Sequence, residues 1–250
     1  MSAVAISILV FAVVVVATAF GVFLNRVIPQ HHLSKESKEI IQLGIGVIVT
    51  LTALVLGLLV ASAKGSFDTK SDEIRQSSVK IVLVDSYLRQ YGADAKEARD
   101  FLRRWVDDHA EAIWTPESRR VPAEQGNAVW TAFHEKLRAL APANDTQRRL
   151  HAKLLDLTDE VALTRWLLTE QAGSSIQTPF LLVLVLWLGI IFASFGLFAP
   201  RNGTVYAVIV LSALSLSTAV FLVLELDQAF AGTIRISDAP YHVLVREIHR

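Results

Sequence analysis

The chain has no cysteine, and long stretches of it carry no formal charge. The missing cysteine excludes a secreted disulfide scaffold while leaving the compartment open. No Asp, Glu, Lys or Arg occurs within residues 1–25, 40–63, 171–200 or 202–224, so 102 of the 250 residues are charge-free. Charged residues make up 19% of the chain, below the roughly 25% usual for soluble domains. Hydrophobic residues reach 52% and the mean hydropathy is +0.43. These figures exclude a small soluble enzyme and a disordered tail. They describe a membrane protein.

A helix needs about 20 apolar residues to cross a hydrocarbon core of roughly 30 Å. Four segments meet that length, at residues 3–24, 40–63, 179–198 and 205–224. The first has no basic leader and an apolar core too long for a signal peptide, so it reads as a retained span. Pro179 suits the first turn of the third. Residues 199–204 join the last two as an antiparallel hairpin.

A polar insert over about residues 64–170 separates spans two and three. It holds 17 Lys plus Arg and 18 Asp plus Glu, a net charge of −1. That balance leaves no electrostatic footprint for nucleic acid. The insert shows no strand-like alternation and no repeat, and it reads as four amphipathic helices. Val79, Val82, Leu83, Tyr87, Leu88 and Tyr91 stripe the first, which Gly92 stops. Asp94 with Glu97 suggests an acidic capping box for the second, which presents Phe101, Leu102, Trp105, Val106 and Ile113. Pro116 and Pro122 mark a loop. The third carries Val129, Trp130, Phe133, Leu137 and Leu140 and ends before Pro142. Asn144 and Gln147 cap the fourth, with Leu150, Leu154, Leu157 and Val161 on one face. Such stripes read as bundle core.

Lys64, Lys70, Arg75, Lys80, Arg165 and Arg235 flank one side of the spans, against Arg26, Lys35, Lys38 and Arg201 on the other. The excess favours a cytoplasmic insert with both termini on the same side.

Enzyme chemistry finds no support. There is no Ser–His–Asp order, phosphate-cradling glycine loop or zinc-protease signature. His31 and His32 with Glu36 come nearest to a metal site, but adjacent histidines diverge, and the segment reads as an interfacial loop. Asp107, Asp108, His109 and Glu111 read as an exposed helix face. No metal and no cofactor is expected.

Span two is more informative. Gly44, Gly46, Thr50, Ala53, Gly57 and Ala61 spread small side chains along it, most of them close to one stripe. They suit tight packing against the other spans. The sharper reading is a narrow pore in an oligomer, with Lys64 at the inner end concentrating anions. After span four, Glu225 and Asp227 lie at the membrane boundary, where they need no buried partner and are free to hold a cation or pair with the insert. Phe230, Gly232, Asp238 and Pro240 follow. The amphipathic end (Tyr241, Leu244, Val245, Ile248) suits a membrane-surface anchor as well as a specific role.

The run ALVLGLLVASAKGSFD (residues 53–68) resembles the signature of a bacterial membrane-protein family known as bestrophin-like. Further points of resemblance follow in order. They are Tyr91-Gly92 before an Arg-rich helix (residues 98–104), Trp114 before Pro116, Arg165 leading toward Thr178-Pro179, and Glu225-Leu-Asp227 followed by Phe230 and Gly232. Bestrophins are pentameric chloride channels with four spans, cytosolic termini, a helical cytosolic body and a pore lined by the second span. The resemblance therefore implies an all-α fold with Thr50, Leu54, Gly57 and Lys64 lining the pore, and an acidic/Phe-Gly segment of Glu225, Asp227, Phe230 and Gly232. Three departures stand out. Ala229 replaces the family's proline before the phenylalanine, and span two has no aromatic before Phe67. Thr233, Ile234 and Arg235 replace the acidic run that clasps calcium in animal bestrophins.

The expected organisation is a transmembrane hairpin (1–63), a helical cytosolic insert (64–178), a second hairpin (179–224) and a cytosolic C-terminal segment (225–250). The expected protein is a passive anion channel of the bacterial inner membrane. Its expected partners are the lipid bilayer, further copies of itself in a pentamer, and small anions. The alternative is a non-conducting sensor or scaffold whose cytosolic bundle recruits a partner.

Overall fold

A computed structural model describes residues 2–29, 35–110, 123–170, 176, 178–200, 202–230 and 232–250. Among these residues every regular element is helical. The elements are α1 (Ala3–Val27), α2 (Lys35–Tyr91), a 3-10 turn (Ala93–Ala95), α3 (Lys96–Ala110), α4 (Ala123–Arg138), α5 (Asp145–Glu170), α6 (Thr178–Phe198), α7 (Gly203–Asp227) and α8 (Ala239–Ile248). Helices α1, α2, α6 and α7 are each long and apolar enough to cross a membrane. His31, His32, Glu111, Ile113, Trp114, Pro116 and Pro122 lie outside the described residues.

The chain divides into two compact units, Met1–Phe67 with Ser174–Ile234, and Asp68–Gly173 with Arg235–Arg250. The second span and the first stripe of the polar insert are one uninterrupted helix, α2. No proline interrupts the stretch between them, and its single glycine, Gly65, is held within the helix, so helical hydrogen bonding propagates across the change in polarity. It stops where expected: Gly92 takes φ +106°, a conformation side chains resist.

In the first unit the core is built from Val10 and Val14 of α1, Leu184, Leu188 and Phe192 of α6, and Ile209, Ala213 and Val220 of α7. Helices α1 and α6 approach backbone to backbone. A methyl group on Gly21 would overlap the Ala193 carbonyl, and one on Gly196 would overlap the Thr18 carbonyl. Asn25 adds a polar tie by donating from Nδ2 to the Leu197 carbonyl. Close approach through small residues is the usual source of helix association in lipid, where apolar burial drives little.

In the second unit the stripes of α3, α4 and α5 converge as their periodicity implies. Leu102, Trp105, Val106, Trp130, Phe133, Leu137, Leu154 and Val161 are all buried in one core. Trp130 stacks edge-on against Trp105 at 5.2 Å between ring centroids. The Asn144 side chain accepts from the Gln147 amide at 2.8 Å, and the Gln147 side chain accepts from Ala143 at 2.8 Å, closing the cap of α5. The expected Asp94–Glu97 box does not form. The Glu97 carboxylate is taken by Lys136 on α4 instead, and a 3-10 turn opens α3. The amphipathic end is no surface anchor. As α8 it buries Tyr241, Leu244 and Ile248 in this same core.

Candidate functional site

Helix α2 presents two unlike faces over its apolar length. Thr52, Leu59 and Ala63 are buried, and Ile45, Ile48, Val55, Leu56 and Val60 are half-buried against the first unit's core. These positions recur every three or four residues and form one side of the helix. Thr50, Leu54, Gly57 and Lys64 are all exposed. At 3.6 residues per turn they fall within an arc of about 80°, roughly opposite the buried side. Leu54 is 60% exposed and Leu58 61%, which is unusual for large apolar residues unless lipid or another chain covers them.

The glycines of α2 do not pack closely against the other helices of the unit. A methyl group on Gly44, Gly46, Gly57 or Gly65 would meet nothing within 4 Å. Among the described residues, the close helix-to-helix glycine contacts of this unit lie between α1 and α6, a pair that composition alone did not single out. The Thr50 hydroxyl donates to the Gly46 carbonyl at 2.9 Å, so the helix satisfies its own polar group. Lys64 holds its ammonium 5.6 Å from the ring centroid of Phe67, one turn further along.

The acidic segment is organised differently from the expectation of carboxylates needing no buried partner. Glu225 is only 5% exposed. Its carboxylate accepts hydrogen bonds from the backbone and the hydroxyl of Thr233, the latter at 2.6 Å, and from the Ile234 amide at 3.3 Å. Gly232 is required beside it, because a methyl group there would run into the same carboxylate. Asp227 is buried as well and Phe230 is half-buried. Burial explains the partner: a carboxylate removed from water must be hydrogen-bonded, and the loop after α7 supplies the donors. Among the described residues no three His, Asp or Glu side chains converge to hold a metal.

Sequence reasoning missed two features of the second unit. Asp85 falls on the buried face of α2, among Ile81, Val84 and Leu88, and its side chain is 2% exposed. Arg99 grips it at 2.8 and 3.2 Å and Arg89 at 3.1 Å, while Arg103 reaches the Ile248 carbonyl at 2.7 Å. A lone acid on an apolar stripe was the visible signal. The other feature is Arg165. Its guanidinium lies 5.1 Å from the ring of Trp105 and 5.5 Å from that of Trp130. Burial pulls its pKa down, opposed by the nearby Tyr241. The Tyr241 phenol donates to the Val106 carbonyl at 2.7 Å. Burial and then Asp107 push its pKa above the ordinary range. Asp107 and Asp108 are exposed, as a solvated face requires, and Asp107 pairs with His249 at 2.8 Å.

A family model described as a Bestrophin-like domain matches residues 11–241. Comparison with curated proteins finds no match. Two crystal structures are similar, both single-substitution variants of a bacterial bestrophin homologue from Klebsiella pneumoniae. One aligns with a TM-score of 0.68 at 14% identity, covering 98% of this chain and 99% of that one. The other aligns with a TM-score of 0.63 at 14% identity, covering 94% and 97%. At that identity the likeness shows a shared fold.

Proposed function

The chain belongs to the bestrophin-like family, and from that premise we propose that it forms a homo-oligomer, a pentamer, that passes small anions passively across the bacterial inner membrane. The termini and the polar insert are cytoplasmic in this reading. The exposed face of α2 surrounds the axis, with Thr50, Leu54 and Gly57 near the narrowest part and Lys64 at the cytosolic mouth. The insert supplies subunit contacts and a vestibule.

One observation carries the proposal. Helix α2 keeps Thr50, Leu54 and Gly57 on a face that its own unit leaves uncovered. In an oligomer that face meets its copies, and small or apolar side chains define a narrow constriction. A ring of Lys64 ammonium groups raises the local anion concentration, because a low-dielectric mouth focuses their field. Purified protein in planar bilayers should carry anion-selective current. Lys64→Glu should move the reversal potential toward cations. Intact oligomers that leave the bilayer silent would overturn conduction.

A second reading is supported by α5, where Leu163, Trp166 and Leu167 stand exposed on successive turns. In a non-conducting scaffold this stripe would recruit a partner. Trp166→Glu would then abolish capture of that partner while leaving the bilayer silent in both forms.

A further inference from the structure

A groove of about 390 Å³ runs between α1 and α7 in the first unit. Val15, Phe23 and Arg26 line it from α1, and Tyr206, Val210 and Ala213 line it from α7. Its wall is almost wholly apolar. Thr18, which also borders it, turns its hydroxyl to the Val14 carbonyl at 2.9 Å and so leaves no donor facing the groove. The two strongly polar groups both sit at one end: Arg26 in the last turn of α1, and Tyr206 in the first turn of α7. Arg26 is exposed, and no carboxylate among the described residues pairs with it.

We propose that this groove holds one acyl chain of an anionic phospholipid, with the headgroup phosphate bound by Arg26 and Tyr206. Length supports the assignment. From Val15 to Arg26 the helix rises about 16 Å, close to one leaflet of a hydrocarbon core roughly 30 Å thick. Chemistry supports it too. A guanidinium matches phosphate with paired donors, and a tyrosine hydroxyl at the membrane boundary adds another. A free soluble anion would gain nothing from the apolar wall. A lipid uses both parts at once. The site does not depend on conduction, since binding is read directly.

The test is native mass spectrometry of the detergent-extracted oligomer, incubated with phosphatidylglycerol and, separately, with inorganic phosphate. The wild type should retain phosphatidylglycerol against excess inorganic phosphate. Arg26→Gln should lower retention about tenfold, and Arg26→Lys should restore most of it. Val210→Trp fills the groove from a position already 48% exposed, so it should spare the fold and lower retention equally. Several results would overturn the proposal. They are no retention by the wild type, undiminished wild-type retention in both Arg26→Gln and Val210→Trp, loss with Arg26→Gln alone, or displacement by phosphate. Disassembly by Val210→Trp with lipid still bound would also overturn it, assigning the groove to a neighbouring copy.

Discussion

Gly21 and Gly196 interlock α1 with α6: each lacks a Cβ where the other helix places a backbone carbonyl, Ala193 facing Gly21 and Thr18 facing Gly196. The obstacle in both cases is backbone, which cannot swing aside as a side chain would. Gly21→Ala or Gly196→Ala should therefore destabilise the fold by about 1–3 kcal/mol, as overpacking does. Gly57→Ala, which meets open space, should leave the protomer unchanged and serves as the control. Thermal unfolding in detergent checks the contrast.

Asp85 is the buried counter-charge of Arg89 and Arg99. Asp85→Asn keeps the shape and removes the charge. The loss should be about 2 kcal/mol, the scale of hydrogen bonds to charged groups. It falls short of a fully buried pair because both arginines still reach water. Denaturant unfolding followed by helical circular dichroism measures it.

Arg165→Lys should cost about 1–2 kcal/mol despite the retained charge, because an ammonium cannot lie flat between Trp105 and Trp130. Tryptophan emission should shift to the red as the indoles gain water. Unchanged emission and melting would argue that the stacking contributes nothing.

Alkaline pH should destabilise the second unit through Tyr241. Its phenol titrates higher in the folded state than in the unfolded chain, so the neutral form is favoured by folding. That contribution is complete below the ordinary phenol value near pH 10 and is lost as pH rises above it. Tyr241→Phe should flatten the alkaline limb of a stability profile while costing about 1 kcal/mol at neutral pH for the lost bond to Val106. Tyr91, also raised by burial, supplies part of the slope that remains.

Much of this protein was readable residue by residue where its physics is local. The cap of α5 lies within four residues, from Ala143 to Gln147, and it forms as read. Gly92 stops α2 because backbone conformation is a property of that one residue. The Asp94–Glu97 box was equally plausible locally. It lost to Lys136, which lies 39 residues from Glu97 and competes only after α4 has packed. The stripe of α8 has the same periodicity whether it meets a membrane surface or a helical core, so its burial at Tyr241, Leu244 and Ile248 was not legible. Glu225 likewise gave no sign of its loop partner, because Thr233 and Ile234 reach it only once the chain turns at Gly232.

Composition and hydrophobic period alone determined an all-helical membrane protein with four apolar segments of spanning length, because charge-free length and a 3.6-residue repeat are written in the chain itself. Which glycines draw helices together was decided only by the tertiary structure. Gly57 and Gly21 look alike in sequence, yet one faces open space and the other a carbonyl. Close approach belongs to a pair of helices, and a single strip of residues does not contain its partner.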